Sequence, residues 1–184
     1  MSYYIYITGC AKTGTWLTTR LFHAFHGIAH VETKGERPLR WLLAQDTTEG
    51  HVVAKRTWDQ FLANSARPEH RWQRAQLARP GVKVVHCTRS MSACLSSAQR
   101  NGGNVTRSRW EAVQAQAKQY AHLIDVVVPY EDLVNAPNEV QETVAEALSL
   151  QIKHPWSNYP DFVPPGAFSQ AGANYKARRI GAPY

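Results

Sequence analysis

The chain has 184 residues, 43% hydrophobic and 19% charged, which suits one folded domain with one substantial core and is too short for two ordinary ones. No stretch approaches the roughly 20 apolar residues of a membrane span, and Ser2, Tyr3 and Tyr4 stand where a signal peptide would carry positive charge. No membrane contact and a cytoplasmic location are therefore expected, while the net charge of +7 suits a polyanionic ligand.

Strand and helix signals alternate, which predicts a single α/β domain with a mostly parallel central sheet flanked by helices. The first strand is read over Tyr3 to Thr8, and a helix from Thr15 to Phe25 follows, with Leu17, Leu21, Phe22 and Phe25 at helical spacing. An extended piece covers Ile28 to Glu32, a helix Pro38 to Gln45 and a second strand His51 to Lys55. Pro68 opens a polar helix that Pro80 and Gly81 end, and Val82 to Cys87 is a buried strand. Met91 to Arg100 forms the next helix, and Gly102 with Gly103 marks a loop. Ser108, with Glu111 three residues on, is read as the N-cap of a long helix carrying Trp110, Val113, Ala117, Tyr120 and Ile124 on one side. A strand Val126 to Tyr130 and a helix Asn138 to Leu150 complete the pattern. One domain thus spans 1–184, with 154–184 an irregular tail rich in proline and glycine.

Chemistry concentrates at the first strand-to-helix turn, Gly9-Cys10-Ala11-Lys12-Thr13-Gly14-Thr15. Such a turn offers backbone N–H groups at the positive end of a helix; Gly14 permits close approach, Lys12 adds charge, and Thr13 and Thr15 add hydroxyls. A phosphate or sulfate group fits there. The phosphate loop of ATP and GTP enzymes reads GxxxxGK[ST], with lysine directly after the second glycine, whereas Lys12 stands two residues before Gly14. A second element is Arg89 at the carboxyl end of a buried strand, where open α/β sheets bind ligands, with Ser97 eight residues on. Cys10, Cys87 and Cys94 make no CxxC pair and no zinc spacing, so they are read as incidental buried thiols, and no metal is expected. The arginines are spread through the chain rather than gathered in a tail, which argues against nucleic acid.

KTGT after the first strand, Arg89 with Ser97, and the strand with its YEDL turn at Val126 to Leu133 resemble, in that order, segments of the sulfotransferases that use 3′-phosphoadenosine 5′-phosphosulfate. Ser90, Met91 and Ala93 depart from that family's usual asparagine, proline and aspartate. The resemblance implies a P-loop-like fold and in-line transfer of a sulfuryl group to a hydroxyl or amine of a small-molecule, glycan or peptide acceptor. It implies that Lys12, Thr13, Gly14, Thr15 and Trp16 hold the 5′-phosphosulfate, that Arg89 and Ser97 hold the 3′-phosphate, and that Lys12 stabilises the leaving group. Thr57 stands where many cytosolic members have a catalytic histidine. His30 to Leu43 is closer to tyrosylprotein and heparan sulfotransferases, so Glu32 is the candidate base, His30 the fallback and Lys55 a second cation. Glu32 and Lys55 read equally as charged strand-end residues, and Trp16 or Trp58 as adenine platform or core. Lys176, Arg178 and Arg179 are similar to the family's basic segment over the 3′-phosphate, or form a solvated tail. Residues 37–79 are the expected acceptor surface. The rival readings are a nucleotide kinase or other phosphoryl transferase with a degenerate loop, and a non-catalytic nucleotide- or nucleic-acid-binding module; the oligomeric state is left open.

Overall fold

A computed structural model describes residues 2–32, 38–57, 68–101 and 105–158. Five strands form the sheet: β1 (Tyr4–Gly9), β2 (Ile28–Glu32), β3 (His51–Thr57), β4 (Val82–Thr88) and β5 (Val126–Pro129). They run parallel in the order β2-β3-β1-β4-β5, so the first strand lies at the centre, with Gly9 level with Thr57 on one side and Cys87 on the other. Being covered on both faces, β1 and β4 are buried almost without interruption instead of at alternate residues.

The helices are α1 (Thr15–Leu21), α2 (Pro38–Leu43), α3 (Pro68–Leu77), α4 (Met91–Asn101), α5 (Arg107–Gln119), α6 (Tyr130–Asn135) and α7 (Pro137–Leu148). On one face Ile5, Ile7, Val85 and Val128 meet Leu17 and Leu21 of α1, Leu133 of α6 and Val144 and Leu148 of α7. On the other, Tyr6, Val52, Ala54 and Val84 meet Leu39 and Leu42 of α2, Leu77 of α3 and Ala117 of α5. Helices on both faces of a parallel sheet leave the carboxyl edge of the central strands open, where ligands of such folds bind.

Several element ends differ from the sequence reading, each for a local reason. The first helix stops at Leu21 and tightens into a 3₁₀ turn at Phe22–Ala24, because Phe25 turns extended to bridge Ile152. Thr106, not Ser108, caps α5: its hydroxyl accepts the Arg109 N–H at 3.3 Å, and Ser108 lies inside the first turn. That helix ends at Gln119; a 3₁₀ turn at Ala121–Leu123 follows, although Tyr120 and Ile124 still pack on the expected face. The chain must turn there because Asp125 receives the Val84 N–H on its carboxylate and donates its own N–H to the Val84 carbonyl. Tyr130 opens α6 instead of ending β5, and α7 stops at Leu148, where Ser149 takes a left-handed φ of 53°. The start of the expected tail is ordered: Trp156 is fully buried.

Candidate functional site

The β1–α1 turn is built by backbone constraint. A Cβ on Gly9 would stand 2.6 Å from the Cys87 carbonyl oxygen, and one on Gly14 2.5 Å from Tyr130 Cδ2, so both positions need glycine. Lys12 takes a positive φ of 71°, uncommon for a residue with a side chain. Thr13, 1% exposed, donates its hydroxyl to the Cys10 carbonyl at 2.6 Å, and the same oxygen accepts the Thr13 N–H at 3.2 Å. The Thr13 hydroxyl expected at the anion is therefore committed to closing the turn. Gly14 caps α1 without a side-chain bond, and the first-turn N–H groups of Thr15 and Trp16 have no acceptor within the helix.

Arg89 stands at this turn. Its Nη1 donates to the Lys12 carbonyl at 3.2 Å, its guanidinium carbon lies 3.9 Å over the Tyr130 ring, and its Nε is 3.9 Å from a Glu131 carboxylate oxygen. Trp110 Nε1 donates to the Arg89 carbonyl at 3.1 Å, which ties α5 to the end of β4. Cys94 of α4 points at the same Lys12 carbonyl, and Ser97, half-buried, stands one helical turn beyond it. Lys12, Gly14 and Arg89 thus gather about one turn, while Ser97 is placed only by its position on α4. Tyr130 and Glu131 of the YEDL turn form the platform beneath Arg89; the signal available was their place just after a strand's carboxyl end.

The other candidates lie elsewhere. Glu32 ends the edge strand level with Ala54, which is level with Tyr6, three residues short of Gly9. Two strand spacings across and three residues down put its Cα about 14 Å from that of Gly9. The structure does not bring Glu32 to the turn. His30 is exposed, its ring 5.0 Å from that of Trp41. Lys55, level with Ile7, projects toward the α1 face, close enough for its charge to act on Cys87. Trp16 packs partly against the core with Arg20 over its ring. Lys176, Arg178, Arg179 and Trp58 lie outside the described residues, as do 37 and 58–67 of the expected acceptor surface.

Burial pushes the Cys87 thiol up to about 12 and the Cys94 thiol up to about 11, and raises that of Cys10 as well. All three are protonated at neutral pH and chemically quiet, as incidental thiols should be. Burial also raises the Tyr130 phenol against the opposing pull of Arg89. Among the described residues no group of three His, Cys, Asp or Glu could hold a metal ion, and no helix is long and apolar enough to cross a membrane.

The strand order, the covered faces and the glycine-framed turn after the central strand define a single α/β domain consistent with a P-loop-like nucleotide-binding fold. No family model and no curated protein sequence matches the chain. Among solved structures it is similar to shikimate kinase from Acinetobacter baumannii in complex with shikimate, at 11% identity and a TM-score of 0.47, over 81% of this chain and 94% of that one.

Proposed function

We propose that the protein is a group transferase that holds a nucleotide donor by its phosphates over the β1–α1 turn, and that the group moved is sulfuryl. The donor is 3′-phosphoadenosine 5′-phosphosulfate, and the acceptor a hydroxyl or amine of a small molecule, glycan or peptide. The observation that carries this reading is that Lys12 and Arg89, 77 residues apart, meet at one glycine-framed turn. In the transfer the bond from sulfur to the bridging phosphate oxygen breaks, a bond from sulfur to the acceptor forms, and the acceptor proton passes to a base. Lys12 neutralises the leaving phosphate, while the N–H groups of Gly14, Thr15 and Trp16 hold its oxygens. Thr13 acts by closing the turn. Arg89 and Ser97 take the second phosphate, Lys55 supplies background charge, and Lys176, Arg178 and Arg179 are assigned to the same phosphate. A base at Glu32 acts from the flank of the sheet, so the acceptor must reach between that edge and the turn.

The close approach of Arg89 to the Lys12 carbonyl also favours a second reading, phosphoryl transfer from a nucleoside triphosphate, because adjoining phosphates would meet both cations at once. The two readings separate in a thermal-shift comparison of 3′-phosphoadenosine 5′-phosphate without metal against ATP with magnesium. A specific ligand at a hundredfold excess over its dissociation constant stabilises by about 2.7 kcal/mol. We expect the first ligand to do so in the native chain and not in Lys12→Ala, whose turnover should fall about 10²- to 10³-fold. Stabilisation by ATP and magnesium alone would assign the chain to the phosphoryl reading.

A further inference from the structure

Arg89 stands in the two-residue junction between Thr88, which ends β4, and Met91, which opens α4. Its backbone is held there by the Trp110 N–H, which donates to its carbonyl at 3.1 Å. Its side chain is held twice more: the guanidinium carbon lies 3.9 Å from the centre of the Tyr130 ring, and Nη1 donates to the Lys12 carbonyl at 3.2 Å. The side chain is 17% exposed, and its Nη2, which has no hydrogen-bond partner among the described residues, is not buried, so a ligand can reach it. The same Tyr130 ring abuts the donor turn, since a Cβ on Gly14 would stand 2.5 Å from its Cδ2. One ring thus touches both the turn and the cation beside it.

A ring in that place does what an aliphatic side chain would not. An unrestrained arginine samples many rotamers, and a ligand that must fix it loses affinity to the entropy of doing so. The attraction of a cation for an aromatic face acts before any ligand arrives and favours the rotamers that keep the guanidinium over Tyr130. The Lys12 carbonyl then limits how the group can turn on that face and keeps it beside the donor turn. Leucine or methionine could fill the space against Gly14 but offers no such face. We propose, on the reading that Arg89 takes the nucleotide's second phosphate, that Tyr130 is its positioning residue: the ring face, and not the hydroxyl, holds Arg89 where Nη2 meets that phosphate. In this role Tyr130 touches no reacting atom and acts through Arg89.

Two probes that differ only in the 3′-phosphate isolate this role: 3′-phosphoadenosine 5′-phosphate and adenosine 5′-monophosphate. Isothermal titration of the full chain gives both dissociation constants, and their ratio reports what the 3′-phosphate adds. In the native chain the first ligand should bind about tenfold more tightly or better, as for a hydrogen bond between charged groups. Arg89→Gln should bring the ratio close to one. Tyr130→Leu should lower it by about threefold or more, and Tyr130→Phe should keep it within about threefold of native. Tyr130→Met keeps the test open should Tyr130→Leu fail to fold. A merely structural Tyr130 would change stability in these variants without moving the ratio. A native ratio below about tenfold, or one that survives Arg89→Gln, would overturn the assignment of Arg89 to a second phosphate and the role of Tyr130 with it. A large native ratio that Arg89→Gln abolishes, but that the leucine and methionine variants keep or the phenylalanine variant loses, would overturn the role of the ring alone.

Discussion

Two side chains sit at odds with their surroundings, one at the donor turn and one beneath α5. Lys12 holds a left-handed φ of 71°, which costs a residue with a Cβ about 1–2 kcal/mol. It does so inside the turn that Gly9 and Gly14 frame, so backbone strain and the cation share a residue. His86 is the second case, and its burial makes stability depend on pH. In the unfolded chain its imidazole titrates near 6.5, whereas in the fold burial holds it at about 4. Above pH 6.5 both states are neutral and the group contributes nothing to pH dependence. As pH falls from 6.5 toward 4 the unfolded chain binds a proton that the folded one refuses, so stability is lost across that window. Between pH 7 and pH 5 the loss is about 2 kcal/mol, taking 1.36 kcal/mol per pK unit. Urea unfolding at the two pH values should show this loss in the native chain and most of it gone in His86→Phe. An equal loss in both proteins would mean that His86 is not the group responsible.

At the scale of elements, what the sequence discloses depends on how local the cause is. The strands are legible because each is a short apolar run between turn residues, and Val82–Thr88 was plain for that reason. The turn of Lys12 and Gly14 and the Arg89 strand end are legible because their chemistry lies within a few contiguous residues. Tyr130 was not: it serves by packing on Gly14 and under Arg89, contacts between distant stretches that no local spacing announces. Helix ends were misplaced where tertiary partners decide them, as with Asp125 pulling the chain off α5. The end of α7 is a case with a measurable consequence. Ser149 closes it with φ 53° and ψ 46°, its N–H and that of Leu150 reaching back to the Glu146 and Ala145 carbonyls. This is the position where helices favour glycine, which adopts the left-handed form without a Cβ clash. Ser149 is exposed and no hydrogen bond among the described residues uses its hydroxyl, so Ser149→Gly should stabilise the protein by about 0.5–1 kcal/mol. Chemical denaturation would register this as a higher midpoint with an unchanged slope; a lower midpoint would count against the cap.

Across the whole molecule, the stretch after α7 closes the domain on the α1 face. Ile152 bridges Phe25, the His26 N–H donates to the Gln151 carbonyl at 2.8 Å, and the Lys153 N–H donates to the Ala24 carbonyl at 2.8 Å. The buried Gln141 of α7 joins these pieces: its amide nitrogen donates to the His154 carbonyl at 2.9 Å, and its oxygen accepts the Trp156 backbone N–H at 2.8 Å. Trp156 itself enters the same core as α1 and α7 with no exposed surface. Truncating a buried tryptophan to alanine costs about 3–5 kcal/mol. Removing Gln141 costs about 1–3 kcal/mol for each backbone group left buried without a partner. The two losses should not add. Once the indole is gone, the segment that carries the His154 carbonyl and the Trp156 N–H is held less firmly, can reach water, and no longer needs the glutamine. Urea unfolding of Trp156→Ala, Gln141→Ala and the double variant should therefore give a double loss smaller than the sum by at least 0.5 kcal/mol, as for residues in one network. If the losses add within about 0.3 kcal/mol, the indole and the amide hold the closing segment independently, and it does not act as one latch.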